Sequence, residues 1–246
     1  MASDDSILDV QRLKKSFGGL VAVRDFSFHL GKGEILGLMG PNGAGKTTVF
    51  NLISGVYKPD SGVIKYKGMN IVGLPPHKIR RLGIARTYQI PQPFPRLTVL
   101  QNVQIAAMYG GGFSKAESEK RAHEVLDFIG LSDKKDMPAG NLKLLDLKML
   151  ELARAIVSNP SVLLVDEVGA GLREAEIPHL VKILKTINEM GVSIMLIEHI
   201  PRLVVETVDR LIVMNAGEKI ADGKPREVIR DARVIECYLG KEIVEE

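Results

Sequence analysis

The stretch EILGLMGPNGAGKTTVFNLISG, residues 34–55, changes character twice and decides the fold. Glu34 to Met39 is an apolar run of strand length. Gly40 to Thr47 is a glycine-rich turn ending in Lys-Thr, and the residues after it carry apolar side chains at helical spacing. A strand that turns through G-x-x-x-x-G-K-T into a helix is a phosphate cradle with a mechanism. Glycine lets backbone N–H groups turn inward around phosphate oxygens, and the helix N-terminus adds its partial positive charge. Lys46 reaches the outer phosphates and Thr47 offers its hydroxyl to magnesium. The candidate phosphate-site residues are Gly40, Pro41, Asn42, Gly43, Ala44, Gly45, Lys46, Thr47 and Thr48. A glycine-rich turn that binds nothing is the plain alternative. Lys followed by Thr, and an acidic strand end later in the chain, weigh against it.

That acidic end lies in SVLLVDEVGAGL, residues 161–172, where four apolar residues run into Asp166 and Glu167. A carboxylate ending a core strand beside a phosphate loop is the usual second magnesium contact, so Asp166 is a candidate metal ligand. Glu167 stands where a general base for water would sit. Acids also end buried strands simply because the chain must surface there. Two further apolar runs, Val192 to Glu198 and Arg210 to Asn215, share the near-continuous hydrophobicity of strands covered on both faces. VAVRDFSFHL (21–30) and GVIKYKG (62–68) alternate apolar with polar, as antiparallel strands at a sheet margin do, and NAGEKIADGKP (215–225) reads as a hairpin.

From Pro91 to Ala155 the strand signal vanishes, and LTVLQNVQIAAMYGG and AESEKRAHEVLDFIGL carry apolar residues at helical spacing. The expected architecture is α/β: a parallel sheet covered by helices, an antiparallel β margin, and an α-helical insertion over 91–155 between core segments 1–90 and 156–246. The mixed charges of SKAESEKRAHE fit a solvated helix face.

Composition narrows the function. A net charge of +3 is too small to argue for nucleic-acid binding. The lone Cys237 can form no internal disulfide and fits a reducing compartment. The first residues, MASDDSILDVQRLKK, lack the apolar core of a signal peptide, and the chain has no uninterrupted apolar run of about eighteen residues. His29, His77, His123 and His179 show no metal-ligand spacing.

With both motifs in place, the chain resembles the ATP-binding subunits of ABC transporters over nearly its whole length, hence a P-loop NTPase (RecA-like) core. GLPPHKIRRLGIARTYQIPQPFPRLTVLQNV, KSFGGLVAV and NLISGVYKPDSG are most similar to subunits that drive branched-chain amino acid importers. The resemblance implies ATP and Mg²⁺ as ligands. It places Phe17 against adenine, Gln89 of TYQIP in the loop that touches magnesium, and His199 at the switch position that meets the terminal phosphate. It also implies work at the cytoplasmic face of the membrane with a second homologous ATP-binding subunit, two membrane-spanning permease subunits and an extracytoplasmic solute-binding protein, without nucleic acid. An ATPase of a lipid exporter and a soluble, non-transport ABC ATPase are the alternatives. The sequence itself does not name the solute.

One motif departs from the pattern. In the family each ATP is held between one subunit's phosphate loop and its partner's signature, a Ser-Gly-Gly turn that opens a helix. Aligned outward from LELARA, the signature positions here are Leu142, Lys143, Leu144, Leu145 and Asp146. Leu144 and Leu145 carry Cβ atoms where glycine would allow close approach. Lys143 offers an ammonium in place of a hydroxyl, and Asp146 would repel phosphate unless it capped a backbone N–H. Val168 replaces the usual proline, and Arg173 replaces an acid or Asn in the loop that spans the dimer. The implied consequence is asymmetry: a complete site on this subunit's own loop, and a slower one across its signature.

Overall fold

In the computed structural model, which describes residues 6–239, the strands β1 (Ser6–Phe17), β2 (Leu20–Gly31) and β3 (Ile35–Met39) lead into helix α1 (Lys46–Ile53). There follow β4 (Ser61–Tyr66), β5 (Met69–Asn70), α2 (Pro76–Leu82) and β6 (Ile84–Arg86). A helical stretch comprises α3 (Val99–Ala106), running into a π-helical turn, then α4 (Lys115–Ile129) and α5 (Leu144–Ile156). The chain then returns through β7 (Val162–Asp166), α6 (Ile177–Glu189), β8 (Ser193–Ile197), α7 (Pro201–Thr207), β9 (Arg210–Asn215), β10 (Glu218–Gly223), α8 (Pro225–Val228) and α9 (Ala232–Leu239).

The strands form two sheets. The larger has the order β10-β9-β3-β8-β7-β6, parallel except for β10, which pairs antiparallel with β9 at the edge. Its central strands β3, β7, β8 and β9 are buried on both faces and divide their side chains by the period of two. Leu36, Leu38, Leu164, Met195 and Ile197 face one core, while Ile35, Met39, Leu163, Val165 and Leu196 face the other. The first core holds Val49, Phe50 and Ile53 of α1, fully buried between the larger sheet and the smaller one. Each such side chain contributes about 1.5–3 kcal/mol by leaving water. The second core takes in α3, α4, α5 and α6.

The alternating segments expected at a sheet margin pair in a four-stranded antiparallel sheet of their own, β2-β1-β4-β5. Its longest member together with β2, β1, carries no clean alternation. Arg12 takes a left-handed φ of 46°, and the register slips between Val10 and Leu13, so buried residues fall three apart. That bulge is why the segment does not read as a strand.

Between β6 and β7 no strand is present among the described residues. Thr98 and Gln101 cap α3 reciprocally, as Ser114 and Glu117 cap α4. Asn102, fully buried on α3, ties this stretch to the loop before it. Its Oδ1 accepts from Phe94 N at 2.8 Å, and its Nδ2 donates to the carbonyls of Phe94 at 3.1 Å and Thr98 at 2.9 Å. Asn102→Ala strands these backbone groups in the interior. It is expected to lower unfolding free energy in urea by about 2 kcal/mol. A change under about 0.5 kcal/mol, the range of ordinary surface substitutions, would show that the loop relaxes onto other partners.

Candidate active site

The turn from β3 into α1 needs glycine at two places. Gly40 has φ 150°, and a Cβ there would collide with the Met214 carbonyl oxygen. Gly45 has φ 105°, and a Cβ would collide with that of Ala22. The loop is thus wedged against β2 and β9 by backbone contact alone. Within it Lys46, only 5% exposed, folds its ammonium back onto the carbonyls of Gly40 at 2.7 Å and Pro41 at 3.0 Å.

An open cleft of about 1290 Å³ lies over the turn. Asn42 to Thr48 form its floor, Phe17 and β2 residues one wall, and Gln89, Glu167 and His199 the other. Of the residues singled out in the sequence, Gly40, Pro41 and Asp166 do not line it. The glycine and proline shape the turn beneath, and Asp166 sits behind, 2% exposed. The signature residues Leu142 to Asp146 also lie elsewhere.

Glu167 is held from every side. Its Oε2 accepts from Gln89 Nε2 at 2.6 Å, and its Oε1 lies 2.8 Å from His199 Nε2. Its backbone takes a left-handed φ of 48°, a strained region for a residue with a side chain. That conformation is fixed by Glu167 N donating to Ile197 O at 2.9 Å and by the Glu167 carbonyl accepting from Ala170 N at 3.2 Å and Lys148 Nζ at 3.2 Å. The carboxylate therefore faces the cleft in one pose, with a glutamine and a histidine at its two oxygens.

Asp166 ends β7 and meets Arg86 of β6 across adjacent parallel strands, with a 2.9 Å ion pair. The same guanidinium donates to Asn51 Oδ1 at 2.6 Å and lies between the rings of Phe50 and Tyr88. Burial pushes the Asp166 carboxyl up from the usual range, and the Arg86 pair opposes this. The other carboxylate oxygen, Oδ1, is buried without a hydrogen-bond partner. An orphaned anionic oxygen fits a cation or its water.

No cluster of three His, Cys, Asp or Glu side chains able to hold a metal occurs among the described residues. A hard cation here would have to share its ligands with a phosphate, which suits magnesium. Behind Glu167, the buried Glu198 accepts from Gly169 N at 2.6 Å and His199 N at 3.3 Å, and burial pushes its carboxyl up to about 7.

At the cleft mouth Phe17 meets Tyr57 edge-on, with ring centroids 5.1 Å apart, and Lys15 lies 5.4 Å above its face. Asp60 fixes the approach by accepting from Lys15 Nζ at 2.9 Å and Ser16 N at 2.7 Å, contacts that hold its carboxyl below the usual range. Tyr57, Arg86, Lys148 and Glu198 are the site-building residues that the sequence reading misses. Only Arg86 had a local signal, three residues ahead of Gln89.

The stretch Leu142 to Asp146, aligned above with the signature, leads into α5. Leu142 is buried in the helical core, while Lys143 and Leu144 are exposed at the helix start. Asp146 caps nothing: it pairs with Lys134 at 2.8 Å, and that bond raises the lysine's pKa. Arg173 pairs with Glu176 at 2.8 Å, and Val168 is buried in the core. Cys237 lies on α9, partly buried, its thiol pKa raised by burial.

Comparison with known proteins identifies the family. The profile described as ABC transporter matches residues 23–170, and that of the branched-chain amino acid ATP-binding cassette transporter matches residues 218–244. The chain is 39% identical to the probable branched-chain amino acid transport ATP-binding protein LivG of Archaeoglobus fulgidus, over 95% of each chain. It is likewise 39% identical to the high-affinity branched-chain amino acid transport ATP-binding protein LivG of Salmonella typhimurium, over 96% of this chain and 98% of that one. Among solved structures, it is similar to the ADP conformation of an ATP-binding cassette of an ABC transporter. The TM-score is 0.87 at 30% identity, covering 96% of this chain and 99% of the other.

Proposed function

This chain belongs to the ABC transporter family as one of its ATP-binding cassettes, and on that premise we propose that it hydrolyses ATP to power uptake of branched-chain amino acids, or a related small solute, through separate membrane subunits. The observation that carries the reading is the cleft itself. A lysine-bearing phosphate turn faces a single carboxylate, Glu167, whose two oxygens are held by Gln89 and His199.

In this reading the triphosphate lies along Asn42 to Thr48, and Lys46 exchanges its two carbonyl partners for phosphate oxygens. That exchange replaces neutral hydrogen bonds with charge-assisted ones. Phe17, braced by Tyr57, stacks on adenine, which contributes about 0.5–1.5 kcal/mol beyond area. Thr47, Gln89 and Asp166 would hold magnesium, directly or through water, and the ion would supply neutralisation of charge on the phosphates. Glu167 takes the proton of the attacking water. His199 starts on Glu167 and also lines the cleft, so its turning to the terminal phosphate would free Oε1 of the base as phosphate arrives.

The signature side works on a partner's nucleotide. Leu144 and Leu145 block the close backbone approach that glycines permit, and Asp146 is neutralised by Lys134, which leaves Lys143 as the charged group at the exposed helix start. A second homologous cassette with an unaltered signature would therefore complete this chain's own site. Exposed Tyr88, Ile90 and Phe94 lie on the segment after β6, on either side of Gln89 in sequence, and such exposed apolar side chains suit docking of a membrane-spanning subunit. No helix among the described residues is long and apolar enough to cross a membrane. The full assembly would join two cassettes, two permeases and an extracytoplasmic solute-binding protein, with this chain on the cytoplasmic face.

The test is hydrolysis by the purified chain alone and after addition of the second cassette, followed by uptake of labelled leucine into vesicles bearing all the subunits. Slow hydrolysis alone, marked stimulation by the partner and ATP-dependent leucine uptake are expected. Full cooperative activity of the lone chain would contradict the asymmetry, and ATP-driven uptake of a different solute class would overturn the substrate.

A further inference from the structure

We propose that Lys148 is a positioning residue for hydrolysis, holding the backbones of Gln89 and Glu167 so that their side chains meet over the cleft. The inference rests on the reading of Glu167 as the base.

Lys148 belongs to α5, yet its side chain leaves the helix and ends inside the site. The residue is 3% exposed, and Nζ donates to the Gln89 carbonyl at 2.8 Å and the Glu167 carbonyl at 3.2 Å. Those two residues are themselves joined side chain to side chain, Gln89 Nε2 to Glu167 Oε2 at 2.6 Å. A closed ring results, in which one ammonium ties the two main chains and the amide–carboxylate bond ties the two side chains. A loop residue and a strand-end residue 78 positions apart thus acquire a fixed relative position, although neither carries it in its own secondary structure.

A buried ammonium is a costly way to fill space. Burial lowers the Lys148 pKa, and the acids around it, Glu198, Glu167, Glu151 and Asp166, oppose that shift. An apolar side chain would pack without either penalty or compensation. What the ammonium adds is two hydrogen bonds to carbonyls at the catalytic edge, one of them on the residue with the strained φ of 48°. Strain of that kind persists only where neighbours over-determine it. Glu198 braces the other side, accepting from Gly169 N and His199 N, so the residues after Glu167 and the histidine opposite it are tied beneath the same ring.

The placement of Lys148 on α5 has a mechanical consequence. The helix that begins at the signature, facing a partner's nucleotide in the proposed assembly, is hydrogen-bonded through one side chain to this chain's own base. A shift of α5 would be felt at Glu167 directly.

The experiment uses the full-length chain with its second cassette and compares Lys148→Met, Lys148→Arg, Gln89→Ala and Phe17→Ala, alone and in pairs. Steady-state hydrolysis, affinity for a fluorescent ATP analogue and thermal unfolding are measured. Lys148→Met is expected to lower kcat roughly 10- to 100-fold, the scale of a small misplacement of catalytic groups, with KM and analogue affinity changed by less than about twofold. Lys148→Arg, which keeps a buried cation and donors, is expected to recover most of kcat.

Lys148→Met combined with Gln89→Ala should be little worse than the weaker single variant, because both break one ring. With Phe17→Ala the effects should multiply. Unchanged kcat in Lys148→Met, multiplicative effects with Gln89→Ala, or losses that merely follow thermal stability across the Met and Arg variants would overturn the inference. Glu167→Gln run in parallel separates the two levels. If it hydrolyses normally, the reading of the base falls and the inference with it. If it is dead while Lys148→Met is normal, the inference alone falls.

Discussion

Glu167→Gln is expected to give a protein that binds ATP as the parent does and scarcely turns it over. The substitution keeps the shape of the side chain and can keep a hydrogen bond to His199, now from the amide. It removes the one group in the cleft wall with a basic oxygen directed at the nucleotide site. General-base catalysis contributes on the order of 10²- to 10⁴-fold, so kcat should fall by at least a hundredfold while the affinity for ATP stays within about twofold. Phosphate release and equilibrium nucleotide binding, measured on the same preparation, separate the two quantities. A loss of less than about threefold, far below what a general base contributes, would mean that water is activated elsewhere, and Glu167 would then be a structural acid at a strand end.

Lys46→Met should act one step earlier, on binding. Lys46 is 5% exposed and its ammonium is bound to the carbonyls of Gly40 and Pro41, so it already stands inside the turn that would receive phosphate. A hydrogen bond to a charged group is worth about 1.5–3 kcal/mol, which corresponds to roughly a 10- to 150-fold weaker ATP affinity when the cation is removed. Hydrolysis should vanish with it, because the charge that develops on the outer phosphates loses its nearest counter-charge. Titration calorimetry with ATP and with adenosine distinguishes the cause: adenosine binding, which the proposed stacking on Phe17 would govern, should be little altered. Equal loss for both ligands would point to a collapsed loop instead.

Both substitutions stop hydrolysis, but only Lys46→Met weakens ATP binding, because the two remove different links of one chain of contacts. The phosphate turn was legible in the sequence since its determinants are local: glycines, a lysine and a threonine at fixed offsets between a strand and a helix. The core strands were legible for a similar reason, each being a short apolar run with both faces covered. β1 was not, because the bulge at Arg12 moves Leu13 out of phase with Val10 and spoils the alternation. β6 was too short to show a period, with three residues between a helix and a loop.

The parts of the site that escaped the sequence are those made by distance. Arg86 reaches Asp166 across two strands, Lys148 reaches Gln89 and Glu167 from a helix, and Tyr57 meets Phe17 from a turn. None has a motif, because each acts through a neighbour that only the fold supplies. The variant signature was legible as a departure, but its chemistry was not. From sequence, Asp146 either repels phosphate or caps the helix, whereas in the fold it is neutralised by Lys134, twelve residues earlier in the chain. Asp146 is thereby taken up by Lys134 rather than by Lys143, which is exposed at the helix start.

If the cleft over Gly40 to Thr48 takes the triphosphate, Lys46 must change partners to receive it. A crystal structure of the Glu167→Gln protein grown with magnesium and ATP tests this most directly. Lys46 Nζ is expected to have left the Gly40 and Pro41 carbonyls for phosphate oxygens, with adenine against Phe17. Nucleotide bound with Lys46 still on those two carbonyls, or bound outside the cleft, would contradict it.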